Sequence, residues 1–451
     1  MSSCPAACVH RASIRRVAPA AVVALTVWAA IAGCAGRESA AVKGRARLTV
    51  WAHHGQPAER EALAGIVAAF NAAHPDGPAV AISFFPDRQY ADKVSIASAT
   101  GRLPDVVEVD GPYVGPWAAE GLLKPLDGFV DDALRADFLP TIIAQGTFQD
   151  CLYALGAFDS ALVVYYNRDI IARAGLAPPE HVADAWDWAT FRAALEKAKP
   201  YVAVPLALHV DEPGDEWMTY AFAPLIWSIR APPFDQMSGA LIDVQHGRTI
   251  GVLDGPQAVA AITKWQRLIT DGLAEASSVN PNLFAAGDAA FDWSGHWTLP
   301  AFEQTAGLDF GAMPLPRTGD RSVTSAGSWC WGISRDCRDP AAAWRFIAWL
   351  LDPERGIKPI VEANGAVPAR RSAFALFPEY DSGVRRLFRE QLETSARARP
   401  RTAVYLALTT SFARALRDIA LGADVAAALH QAAESVQHDL DRRRARREAG
   451  R

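Results

Sequence analysis

Beyond residue 33 this 451-residue chain has no apolar run approaching the roughly 20 residues needed to span a bilayer. It has no excess of positive charge either. The net charge is −5, and removing Arg11, Arg15 and Arg16 makes the remainder more acidic, which argues against nucleic acid as the main partner. There is no G-x-S-x-G elbow, no phosphate loop and no H-E-x-x-H pair. No cysteine–histidine spacing resembles a zinc site. The adjacent His53 and His54 sit on an extended segment and point to opposite sides, so neither a metal nor a cofactor is expected. Short-period repeats and low-complexity tracts are missing from the body.

Cysteine is scarce where it could build a framework. Of six cysteines, Cys4 and Cys8 lie in the first 33 residues and Cys34 just after them, leaving Cys151, Cys330 and Cys337. An oxidising compartment would allow one disulfide, with Cys330 and Cys337 the closest pair in sequence; the alternative is buried free thiols.

What is present begins with an export signal. His10, Arg11, Arg15 and Arg16 precede an apolar run over residues 17–31, and Ile31-Ala32-Gly33-Cys34 places small residues before a cysteine. This is the pattern of a lipoprotein leader, cut before Cys34 so that Cys34 carries lipid. The run is about 15 residues, too short for a spanning helix. Residues 1–33 are therefore read as leader and 34–45 as a small polar linker. The body is expected outside the cytoplasm, anchored by acyl chains. The cluster Arg442, Arg443, Arg444, Arg446, Arg447 reads as a frayed basic tail over 441–451.

Periodicity then alternates. Residues 48–51, 80–85, 103–110, 161–166 and 308–313 read as strands. Residues 59–70, 90–98, 188–198, 211–227, 259–268, 341–351 and everything after about 402 read as helices. Asp187 or Thr190 starts the helix at 188. Strand–helix–strand repetition predicts a parallel sheet with helices on its faces and a ligand beyond the carboxyl ends of the strands. Trp51, His53 and His54, then Asp110 and Tyr113, lie at two such ends.

Fourteen tryptophans are present, and Trp51, Trp293, Trp297, Trp329 and Trp331 stand beside glycine or polar residues rather than inside apolar runs. A flat ring can cover the C–H face of a sugar while neighbouring polar side chains bond its hydroxyls. Asp110, Asp159, Asp292 and Arg370 are the polar candidates, and charged groups make the stronger hydrogen bonds.

Several motifs in order resemble one family. They are Gly101-Arg-Leu-Pro-Asp-Val-Val107 with Gly121-Leu-Leu-Lys-Pro-Leu-Asp127, and Tyr165-Tyr-Asn-Arg-Asp-Ile170 with Ala174-Gly-Leu-Ala-Pro178. Asp184-Ala-Trp-Asp-Trp188, the stretch from Phe284 to Trp297, and Gly365-Ala-Val-Pro-Ala-Arg370 follow. Together they resemble the family-1, sugar-binding extracellular solute-binding proteins of ABC importers. The pattern departs at Phe291, where methionine is usual, at Asp184-Ala-Trp186, and at Gly156-Ala-Phe-Asp159, which lacks a proline. The resemblance implies a periplasmic-binding-protein-like α/β fold: two α/β lobes, crossing hinge segments and a ligand cleft between them. Lobe 1 would hold 46–156 and 327–367, and lobe 2 would hold 157–326 and 368–440. By matching positions the resemblance places Asp110, Tyr113, Asp159, Trp293, His296, Trp297, Ser328 and Trp329 at the cleft. The residues read above as candidates, Trp51, His53, His54, Asp292 and Arg370, together with Trp217, complete the expected lining. A monomer that captures a carbohydrate and delivers it to ABC permease subunits in the membrane is the expected function. The alternatives are the same fold binding glycerol phosphate esters or another polar solute, a surface carbohydrate-active enzyme, and a sensor presenting solute to a receptor.

Overall fold

The computed structural model describes residues 45–210, 216–229, 241–275 and 282–449. The leader, most of the linker and Cys34 lie outside the described residues, as does the start of the helix expected from residue 211. No helix among the described residues is long and apolar enough to cross a membrane.

Two sheets organise the chain. The first has five strands in the order Ala79–Phe85, Arg47–His53, Val106–Asp110, Trp329–Ile333, Ala154–Gly156. Arg47–His53 alternates, sending Leu48, Val50 and Ala52 into the core. The helix Pro57–Ala73 follows, with proline in its first turn and Leu63, Ile66, Val67 and Phe70 on its buried face. That face meets Phe346, and Ile347 lies in the same core. The first three strands are parallel, as the sequence predicts. Trp329–Ile333 and Ala154–Gly156 make the sheet mixed, each pairing antiparallel to its neighbour. The reason is topological: the chain re-enters this sheet from the other one, so no same-sheet crossover helix sets its direction.

The second sheet has the order Phe310–Met313, Leu162–Asn167, Ala289–Gly295, Val204–Ala207. All seven residues of Ala289–Gly295 are buried, because helices and neighbouring chain cover both faces. On one side lie Trp188–Ala198, capped by the Asp187 carboxylate accepting from the Thr190 N–H at 2.7 Å, and Glu216–Trp227. Tyr405–Ala420 and Val425–Ala449 complete that core, and Phe412 and Leu416 share it with Phe222 and Trp265. The basic residues at 442–447 are therefore the last turns of a 25-residue helix rather than a separate tail, and Arg443 reaches Glu120 of the first unit at 3.5 Å.

The chain passes between the sheets through residues 157–161 and residues 314–328, and continues past Val367–Pro368 to the helix Gly383–Thr394 beside Phe310–Met313. Two short ladders tie these crossings. Phe158–Asp159 pairs antiparallel with Val367–Pro368, and Thr324–Ala326 pairs parallel with Ala396–Ala398. Cys330 and Cys337 are buried free thiols.

Candidate functional site

Strand register brings the site together. Trp329 pairs with Asp110, so the start of the returning strand lies beside the carboxyl end of Val106–Asp110. Cys330 pairs with Gly156, which delivers Phe158 to the same edge. In the second sheet Gly295 pairs with Leu162, placing Ser160 beside His296 and Trp297. These two edges enclose a cavity of about 410 Å³ lined by residues of both.

The wall from the first sheet is polar and rigid. His53 is buried, and its Nδ1 and backbone N–H both meet Glu108 Oε2, at 2.7 and 3.0 Å. Trp329 stacks flat on the His53 ring, with centroids 3.9 Å apart and planes 4° from parallel. Gly55 makes the turn into the helix with φ +49°, and a Cβ there would lie 2.6 Å from Glu59 Oε2. Burial pushes the Glu59 carboxyl up despite the opposing pull of His53.

One guanidinium joins the walls. Arg399 Nη2 donates to Asp110 Oδ1 at 2.7 Å and Nη1 donates to Asp110 Oδ2 at 3.2 Å. Nη1 also donates to Glu216 Oε1, which accepts the Tyr405 hydroxyl as well, and Thr409 donates to Glu216 Oε2 at 3.2 Å. The guanidinium carbon lies 4.9 Å from the centre of the Tyr220 ring. Burial would weaken Arg399's hold on its proton, but Asp110 and Glu216 more than reverse this; burial also pushes the Glu216 carboxyl up. Gly327 must be glycine here, since a Cβ would come within 2.6 Å of Arg399 Nη2.

The wall from the second sheet is aromatic. Trp297 meets Trp217 edge-on at 5.9 Å and Tyr220 at 6.0 Å, and both tryptophans are only partly buried. Gln56, from the first helix's cap, donates to the Trp297 carbonyl at 3.2 Å across the gap. Ser160 Oγ lies 2.9 Å from both Tyr220 Oη and His296 Nδ1. Burial pushes the His296 pKa down to about 3, so its ring is neutral.

Behind the cavity, Asp159 binds the crossings to one another. Its Oδ1 accepts the N–H groups of Ser160 at 2.8 Å and Gly327 at 3.1 Å, and its Oδ2 accepts the Thr141 hydroxyl. Burial pushes its pKa up to about 6, against the pull of those donors. A carboxyl whose folded pKa is raised stabilises the fold fully below its unfolded pKa and loses that contribution as pH rises through the folded value. Between about pH 4 and pH 7 the wild type should therefore lose about 2–3 kcal/mol of stability relative to Asp159→Asn. Denaturant unfolding of both proteins at the two pH values measures this, and parallel profiles would contradict it.

Of the residues expected at the site, His53, Asp110, Trp217, His296, Trp297, Ser328 and Trp329 line the cavity. The others sit elsewhere. Trp293 is 1% exposed and packs against Phe191 and Phe222, because residues 292–294 continue a central strand instead of forming a loop. Asp292 turns to His209, 2.9 Å away. Trp51 packs on Phe85, Tyr113 on Tyr405, and His54 is exposed beyond the strand end. Arg370 Nε donates to Asp137 at 2.7 Å, which spends its charge outside the cavity. Asp159 stands behind the lining. Sequence reasoning did not assign Gln56, Glu59, Phe158, Ser160, Glu216, Tyr220, Asn364 or Arg399, all of which contribute to the wall.

The model of the family described as "Bacterial extracellular solute-binding protein" matches residues 65–383. Among characterised relatives, the maltotriose-binding protein of Pyrococcus abyssi is 25% identical over 342 residues, covering 72% of this chain and 67% of its own. A maltooligosaccharide ABC transporter solute-binding lipoprotein of Streptococcus pneumoniae is 23% identical over 295 residues, covering 62% and 63%. Among solved structures, the sugar-binding protein MalE of Xanthomonas citri superimposes with a TM-score of 0.74 at 21% identity, covering 89% of this chain and 99% of that one.

Proposed function

The chain belongs to the bacterial extracellular solute-binding proteins, and on that footing we propose that it captures a carbohydrate between its lobes and passes it to an ABC permease. The observation that carries this reading is the pairing of aromatic faces with fixed polar groups across one gap. Trp217, Tyr220 and Trp297 offer flat apolar surface for the C–H face of a sugar ring. Asp110, Glu216, Glu59 and His53 are held in place to bond its hydroxyls, as expected of pockets with apolar walls and few polar groups. We assign residues 46–156 and 327–367 to one lobe and 157–326 and 368–440 to the other, with the final helix extending the second. Solute touching both lobes favours the closed arrangement by its differential affinity for it. The protein acts outside the cytoplasm, tethered through Cys34, and the closed form docks on the permease.

Two features favour a neutral hydroxylated guest that is bound and not turned over. The guanidinium on the wall, Arg399, already engages Asp110 and Glu216, leaving little for a phosphate ester. The Ser160–His296 pair has a histidine whose pKa lies near 3, far from that of a general base working near neutrality. Melting the protein against a panel of neutral saccharides and polyols, with glycerol 3-phosphate beside them, tests the reading. A saccharide should raise the melting temperature and the phosphate ester should not; no response to any saccharide would remove the carbohydrate assignment.

A further inference from the structure

A second cavity, of about 520 Å³, lies on the other side of the segment that carries Arg399. Its walls come from both lobes: residues 147–150 from the first, and residues 244–247, residues 401–404 and the last helix from the second. Arg399 faces the sugar cavity, while Arg401, two residues on, faces this one.

Its chemistry differs from that of the cleft. Arg401 Nη1 donates to the Ala144 carbonyl at 3.1 Å, and Arg444 Nη2 approaches the His246 carbonyl at 3.5 Å. Neither guanidinium has a carboxylate partner among the described residues. Arg443 adds a third charge, shared with Asp439 and Glu120 at 3.5 Å each. Asp150, the one acidic residue lining the cavity, is exposed, as is Arg444, whereas Arg401 and Arg443 are half-buried, so the lining carries three positive charges against one negative. Thr147 and Thr402 supply hydroxyls. Gly247 has φ +61°, and a Cβ there would lie 3.0 Å from Arg444 Nη2, so glycine leaves room for the guanidinium. A guanidinium presents its N–H donors in a planar fork that fits the oxygens of a phosphate group, and two of them in one cavity favour an anion that carries more than one negative oxygen.

We propose that this cavity binds a phosphate-bearing anion through Arg401 and Arg444, with Arg443 assisting. The chemistry fits a free phosphate and the phosphodiester of an anionic lipid headgroup alike. The inference is independent of which sugar, if any, the cleft takes.

Calorimetric titration with inorganic phosphate at low ionic strength tests it, beside sedimentation with vesicles of phosphatidylcholine alone or mixed with phosphatidylglycerol. Saturable binding of phosphate, or selective binding of the mixed vesicles, is expected. The first result identifies a soluble anion and the second a headgroup. Arg401→Gln with Arg444→Gln should weaken that binding at least about tenfold. Arg401→Lys with Arg444→Lys should retain part of it, which keeps the test valid should the glutamine variant fold poorly. Arg446→Gln, outside the cavity, should change nothing. Absence of binding in both arms, binding unaltered in both double variants, or an equal loss in Arg446→Gln would each overturn the proposal.

Discussion

Arg399→Ala should destabilise the protein by about 3–5 kcal/mol near neutral pH, the largest effect expected of any charge removal in this chain. Arg399 is 5% exposed, and its loss leaves Asp110 and Glu216 facing each other without a counter-charge. Removing one member of a buried ionic cluster costs more than the cluster contributes, because the stranded charges remain desolvated. The effect should shrink at low pH. Glu216 already has a raised pKa, and without Arg399 it can take up a proton instead of staying ionised. Adding Asp110→Asn and Glu216→Gln to an Arg399→Met background should recover most of the lost stability, since no unpaired charge is then buried. Denaturant melts of the four proteins at about pH 4.5 and about pH 7.5 read these outcomes directly. A loss that is independent of pH and unrelieved by neutralising the carboxyls would assign Arg399 to packing alone.

Trp297→Ala should lower saccharide affinity by more than about tenfold while leaving the fold intact. Trp297 is partly exposed on the cavity wall, held edge-on by Trp217. Trp293→Ala, four residues earlier, should do the reverse. Trp293 fills the core between Phe191 and Phe222, so its loss should cost about 3–5 kcal/mol of stability with no direct effect on the cleft. Measuring affinity and stability for both variants separates wall from core. Unchanged affinity in Trp297→Ala would remove that ring from the site.

The contrast between those two tryptophans shows what the sequence carried and what it withheld. Apolar spacing located the helices well because a buried face is a local signal, and the cap at Trp188, open in the sequence between Asp187 and Thr190, is Asp187. Strand ends were legible at His53 and Asp110, which close strands readable from alternation, whereas Trp297 and Trp329 border strands that alternation did not reveal and were picked out by their polar and glycine neighbours. Trp293 was misread because the polar neighbours Asp292 and Ser294 resemble a loop, whereas a central strand buries both of its faces. Arg399 had no local signal at all. Ser395-Ala-Arg-Ala-Arg-Pro-Arg401 reads as a solvated basic stretch, and its partners Asp110 and Glu216 lie 289 and 183 residues away. Contacts of that separation follow from how the crossings bring the lobes together, which no spacing rule encodes. Arg370 failed in the opposite way. It was a polar candidate for the cleft, but Asp137 and the Leu351 carbonyl hold it outside.

The central claim is that this member of the solute-binding family shuts its aromatic-walled gap on a hydroxylated guest. Thermal melting of the wild type and Trp297→Ala across rising saccharide concentration tests it most directly. At about one hundred times the dissociation constant the wild type should gain about 2.7 kcal/mol, while the variant, equally folded without ligand, should gain much less at the same concentrations. Coincident curves for the two proteins, or a wild type indifferent to every neutral saccharide, would contradict the account.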